Sequence, residues 1–166
     1  MKQKGFTLVE VLVVLAIGST IALGILLTFT QIVIGTGRSN SQIIALTDVT
    51  QAALAIQKDL QMTQTSNLID GNPAPQDSIL LEWTDYTAFA SENATSHSSN
   101  YTLSGTILQR DYDGTVSIIG RHITGLGFTQ DGSIINVTIT STGTETPPRS
   151  KTLEFIIQTR PEEIEE

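Results

Sequence analysis

The chain has 166 residues, with 9 lysines and arginines against 17 aspartates and glutamates, for a formal net charge of −8. That is room for one domain rather than two, and an acidic balance that argues against a phosphate-tracking nucleic-acid surface. There is no cysteine and there are two histidines, His97 and His122, which excludes disulfides, thiolate metal sites and cysteine nucleophiles and argues against a histidine-rich metal centre or a Ser-His-Asp triad.

The N-terminus is the most unevenly composed part. Lys2 and Lys4 precede Gly5, and from Phe6 the chain is almost wholly apolar to Ile34, with no charge between Val11 and Gly37. As a helix, a stretch of about 27 residues measures about 40 Å, whereas a bilayer core of about 30 Å needs roughly 20. A buried core helix of that length would be unusual in so small a chain. A secretory signal has an apolar core of roughly 7–15 residues followed by a small-x-small cleavage site, which Ala16-Ile17-Gly18 or Ala22-Leu23-Gly24 imitates behind too long a run. A membrane anchor fits the length best. With Arg38 the nearest positive charge on the far side, the positive-inside rule leaves the N-terminus in the cytoplasm and the residues after about 40 outside. Glu10 is the anomaly, since a carboxylate deep in a bilayer costs about 2.5–3.5 kcal/mol on insertion scales. Either it sits at the interface and reaches water, or it has a dedicated cationic partner.

Lys4-Gly5-Phe6-Thr7-Leu8-Val9-Glu10, a short basic leader ahead of a long apolar helix, resembles the type IV pilin signature, also known as the class III signal peptide or prepilin cleavage/methylation motif. The resemblance covers roughly residues 1–35. It implies a leader over residues 1–5, cut after Gly5 by an integral-membrane aspartyl prepilin peptidase on the cytoplasmic face. It also implies N-methylation of the new terminus Phe6 and pairing of Glu10 with the N-terminal ammonium of a neighbouring subunit. A buried carboxylate beside a buried ammonium neutralises both charges. The chain departs from many major pilins in having no proline before Pro73, which favours a minor component. The implied partners are prepilin peptidase, other pilin or pseudopilin subunits and an inner-membrane assembly platform, with no nucleic acid and no cofactor.

Beyond the anchor, residues 6–37, an extracytoplasmic domain is expected over residues 38–160. Leu46, Val49, Ala53, Ile56 and Leu60 recur at spacings of 3 and 4, the apolar stripe of an amphipathic helix packed on a sheet. Asp48, Gln51, Lys58 and Asp59 fall on its other faces. One helix is predicted from about Phe6 to about Gln64, loosened near Gly35–Ser41, with Asp70-Gly71-Asn72-Pro73 ending the helical region. Strands are predicted over Ile79–Thr84, Tyr101–Gln109, Thr115–Ile119, Ile123–Thr129, Ser133–Ser141 and Thr152–Thr159. The alternation of Ile135, Val137 and Ile139 is the clearest. Turns are predicted at Asp111–Gly114 and Gln130–Gly132, loops over Tyr86–Asn100 and Gly143–Ser150, and an acidic tail over residues 161–166. The fold class is α+β, a long N-terminal helix packed on an antiparallel sheet, which is the pilin architecture. Leu108-Gln109-Arg110 and Ile123-Thr124-Gly125-Leu126-Gly127-Phe128 further resemble J-type minor pseudopilins and PilW-type minor pilins.

Candidate chemistry elsewhere is thin. Asp111, Asp113 and Gly114 open like a calcium loop, but His122 stands where an EF-hand needs its acidic residue, so a turn is the simpler reading. His97 in its Ser/Asn-rich loop reads as solvated, His122 as a surface or edge-strand residue, and Trp83 as a core anchor. Asn93, Asn100 and Asn136 open glycosylation triplets of the kind that chance supplies in a Ser/Thr/Asn-rich chain. No Gly-x-Ser-x-Gly elbow is present. No catalytic, cofactor or metal residue is assigned, and the chain reads as the substrate of an enzyme rather than an enzyme. The alternative is a binding module, an adhesin or DNA-uptake receptor on a pilin scaffold, with Tyr86–Asn100 as its contact loop.

Overall fold

The computed structural model describes residues 7–86 and 94–159. One helix, α1 (Leu8–Met62), is followed by β1 (Thr65–Ser66), β2 (Ser78–Tyr86), β3 (Ala94–Ser104), β4 (Ile107–Tyr112), β5 (Thr115–Gly120), β6 (Ile123–Asp131), β7 (Ile134–Thr142) and β8 (Ser150–Gln158). The strands form not one sheet but two, in the order β1-β2-β3-β4-β5 and β6-β7-β8, with antiparallel neighbours throughout. The C-terminal half of α1 packs against both.

The 55 residues of α1 extend over about 80 Å, unbroken through Gly35–Ser41, where loosening was expected. Glycine serves close approach there instead. The 143–149 loop lies against the helix, and a Cβ on Gly37 would stand 2.6 Å from the Thr146 carbonyl oxygen. Ser41 Oγ accepts the Arg149 N–H at 2.8 Å. Met62 ends the helix because the next residues turn to other partners. Thr63 is extended and returns its N–H and hydroxyl to the Asp59 carbonyl, and the Gln64 N–H goes to the Glu82 carbonyl of β2.

Val49, Ala53, Ile56 and Leu60 are buried as the stripe predicts, but Leu46 is 55% exposed and Ala45 takes its place. The buried face runs Ser41, Ala45, Val49, Ala52, Ile56 and Leu60, with small side chains where the 143–149 loop presses closest. Opposite it stand Ile79, Leu81 and Trp83 of β2, Tyr101 and Leu108 of the same sheet, and Ile123, Phe128, Ile135, Val137 and Ile139 of the second sheet. Trp83 is thus a core residue.

Two strand expectations need correction. Tyr101–Gln109 is not one strand but the end of β3 and the start of β4, split by a turn at Gly105 with φ of 63°, the left-handed conformation that glycine supplies without strain. Tyr86–Asn100 is not a loop throughout. Residues 94–100 belong to β3 and pair with β2 from Tyr86↔Ala94 onward, because Ser, Thr and Asn meet every ladder hydrogen bond through their backbones. Residues 87–93, Asn93 included, and the acidic tail lie outside the described residues. Asp113 and Gly114 make the expected turn, with φ of 49° and 81°. Gln76 exchanges two 2.9 Å backbone hydrogen bonds with Phe128, so residues 70–76 cover the β6 edge.

Gly143 supplies a test of the loop–helix seam. A Cβ there would fall on the backbone of Ser41, so Gly143→Val is expected to destabilise the fold by at least the 1–3 kcal/mol typical of overpacking. Gly35→Ala, with open space around it, should be neutral or slightly stabilising. Chemical unfolding of the full chain in detergent micelles measures both.

Candidate functional site

Thr7 is the N-cap of α1, and its Oγ1 accepts the Glu10 N–H at 3.3 Å. Thr7-Leu8-Val9-Glu10 has the spacing of a capping box, and Thr7 makes its half of it, an N-cap that sequence reasoning missed although the T-x-x-E pattern was there to find. Glu10 lies exposed in the first turn, where the helix dipole favours a negative charge. Gly5 and Phe6 lie outside the described residues.

From Thr7 to Thr36 every residue is exposed. This part of α1 is long and apolar enough to cross a membrane, and its apolar window is not buried against any of the described residues. Its hydroxyls are internally satisfied. Ser19, Thr20, Thr28, Thr30 and Thr36 each donate to a carbonyl three or four residues back, at 2.7–2.9 Å. That removes the cost of carrying bare hydroxyl donors into an apolar medium.

At the other end of the helix lies a group that no sequence pattern announced. Asp59, expected on a polar face, is 1% exposed. Its Oδ2 accepts from Arg110 Nε at 2.7 Å, Tyr101 Oη at 2.6 Å and Ser99 Oγ at 2.7 Å, and its Oδ1 from a terminal Arg110 nitrogen at 2.8 Å. The fork-on-fork pair with Arg110 is the strong form of ion pair. Burial, then the hydrogen bond to Asp59, push the Tyr101 hydroxyl well above the usual phenol range. Burial works to lower Arg110, but its hydrogen bond and charge pairing with Asp59 prevail and raise it. The network joins α1 to β3 and β4, fixing both the rotation and the axial position of the helix.

Neither histidine is simply solvated. His122 Nδ1 lies 2.6 Å from Asp48 Oδ2, which also accepts the His122 N–H at 3.1 Å, so this pair ties α1 to the connection between the two sheets. His97 Nδ1 lies 2.7 Å from Asp113 Oδ2 and 3.2 Å from Tyr112 Oη. The Ser98 N–H donates to Asp113 Oδ1 at 2.8 Å. The His97 hydrogen bond first, and the Ser98 N–H second, hold the Asp113 carboxyl below its usual range. His97 stacks on Tyr112 at 5.8 Å and both rings stand within 5.9 Å of Trp83. The Arg110 guanidinium lies 4.5 Å from the centre of the Tyr112 ring. Asp111 and Asp113 do not join with a third ligand, and the described residues hold no group of three metal-ligating side chains.

Residues 1–26 match the family model of the prokaryotic N-terminal methylation motif. No curated protein and no solved structure matches the chain.

Proposed function

We propose, for a chain that is type IV pilin-like in its N-terminal motif and in its fold of one long apolar-tipped helix on antiparallel sheets, that it is a minor pilin or pseudopilin. In this reading prepilin peptidase removes residues 1–5 at the Gly5–Phe6 junction and methylates Phe6. Residues 6–37 then anchor the chain in the inner membrane, N-terminus inside, until an assembly platform moves it into a pilus or pseudopilus. The carrying observation is the continuity of the methylation motif with a helix that is exposed at every residue from Leu8 to Thr36. A structural element that exposes so much apolar surface needs a lipid bilayer or other helices to cover it. Ile43, Leu46 and Leu54 extend exposed apolar surface along α1 into the domain, where neighbouring subunits would meet it.

Mass spectrometry of the membrane-bound form tests this reading. The processed chain should lack Met1–Gly5 and carry one added methyl on Phe6. Gly5→Val should leave the uncut precursor in the membrane, because the peptidase must approach the scissile backbone closely. Normal cutting of that variant rejects the cleavage assignment.

A further inference from the structure

The charges of this acidic chain are unevenly placed. Arg38 is the first charged residue after the uncharged stretch of α1. Next to it Gly37 closely approaches Thr146, and Ser41 accepts the Arg149 N–H, so the connection from β7 to β8 is fastened to the helix where the apolar segment ends. That connection carries Arg149 and leads into Lys151. Arg121 comes to the same end of the second sheet, because Ile123, Ser141 and Lys151 stand in register across β6, β7 and β8. All four basic residues are exposed, and among the described residues none of them makes an ion pair. Nearby, Glu145 is the one acidic residue of the 143–149 connection, and Asp48 is taken up by His122. Elsewhere in the described domain the basic residues are Lys58 and Arg110, and Arg110 is committed to Asp59. A chain of net charge −8 thus gathers most of its unpaired positive charge where the apolar helix enters the domain.

We propose, resting on the anchor reading above, that this basic collar binds the headgroups of anionic phospholipids in the leaflet on the domain's side of the membrane. The uncharged residues between Glu10 and Arg38 span about 40 Å as a helix, against about 40–45 Å for a bilayer with both headgroup layers. An anchor that keeps Glu10 among the headgroups of one face therefore brings Arg38 out among those of the other. Arg149 comes with it, on a connection held to the helix at Gly37 and Ser41, and Lys151 and Arg121 stand just behind. Continuity with the anchor selects lipid over a protein partner, because headgroup phosphates are the first anions that the emerging helix meets. Basic residues beside a membrane are drawn to such a surface, and the attraction fades within a Debye length, so Lys58, about 30 Å further along α1, is too far away to share in it.

The test uses the full chain in nanodiscs of an equimolar mixture of phosphatidylcholine and phosphatidylglycerol, with native mass spectrometry counting the lipids that stay on the protein. Phosphatidylglycerol should be retained in clear preference. Arg149→Glu with Lys151→Glu, both at exposed positions, should cut that preference by at least about tenfold, at about fivefold for each basic residue at a membrane surface, with circular dichroism unchanged. The neutral pair Arg149→Gln with Lys151→Gln should fall between, and provides the comparison if charge reversal disturbs the fold. Lys58→Glu, also exposed, should leave the preference as it is. Carbonate extraction of the chain from vesicles of the same lipids tests the anchor separately. A wild-type chain that is extracted overturns the anchor reading and this proposal with it. A chain that resists extraction but retains both lipids alike, a preference that survives both double substitutions, or one that Lys58→Glu abolishes overturns this proposal alone, and leaves the basic end of the domain to an acidic neighbouring subunit.

Discussion

Asp59→Ala is expected to lower the stability of the folded domain by about 3 kcal/mol, the low end of the 3–5 kcal/mol seen when a buried ion pair is broken from one side. The low end applies because the Arg110 side chain is 23% exposed and can regain some water. Tyr101, with no exposed surface, cannot, and its hydroxyl loses its short partner. Against a total of about 5–15 kcal/mol for a typical domain, the loss should be plain in chemical unfolding of the full chain in micelles. Asp59→Leu with Arg110→Met and Tyr101→Phe removes both charges and the orphaned hydroxyl, and should recover most of it. A triple variant no better than Asp59→Ala would show that shape rather than charge pairing matters at this seam. The same network has a pH signature. Because the folded-state pKa of Tyr101 lies above its ordinary value of 10.0, its contribution is complete below that value. It is lost as pH rises, since only the unfolded chain then ionises. The alkaline fall in stability between pH 9 and 11 should therefore be shallower in Tyr101→Phe.

Glu10→Leu is expected to leave membrane insertion intact and to impair assembly by a factor of more than about 100. Removing the carboxylate removes an insertion penalty of about 2.5–3.5 kcal/mol, and the N-cap survives, because Thr7 Oγ1 accepts from the backbone N–H of residue 10 and not from its side chain. In a filament, the N-terminal ammonium of a neighbour would be left unpaired among apolar helices at about 3–5 kcal/mol. Expression of Glu10→Leu beside its native partners should give normal abundance and cleavage in the membrane fraction and loss from sheared filaments or from cross-links to other subunits. Undiminished incorporation would reject the pairing role, and Glu10 would then be a dipole-matching residue, as its place in the first turn already allows.

The strands that sequence reasoning located best were those with a two-residue apolar period, such as Ile135, Val137 and Ile139, because a half-covered sheet imposes that period. The turn at Asp113–Gly114 was legible for a local reason, its two positive φ values. Polar β3 was not legible before Tyr101. Its residues 94–100 are a strand because β2 lies beside them, and a backbone ladder leaves no mark in side-chain composition. Asp59 failed for a related reason. Counted along the helix it is one more polar residue, and only the arrival of Arg110, 51 positions away, makes it the carboxylate on which the helix is seated.

What the sequence determined by itself is the N-terminal part: the methylation motif matched over residues 1–26, the uncharged apolar run and the long helix. All of these follow from local composition and a spacing of a few residues. What only the tertiary structure decided is how that helix is held: the seam of Gly37 and Ser41 under the 143–149 loop, the Asp48–His122 tie, the Asp59 network, and the division of the strands into two sheets. Those contacts join residues 40 to 110 positions apart. Whether a polar side chain there is solvated or buried depends on which partner the fold brings to it, and that partner is not encoded near it in the chain.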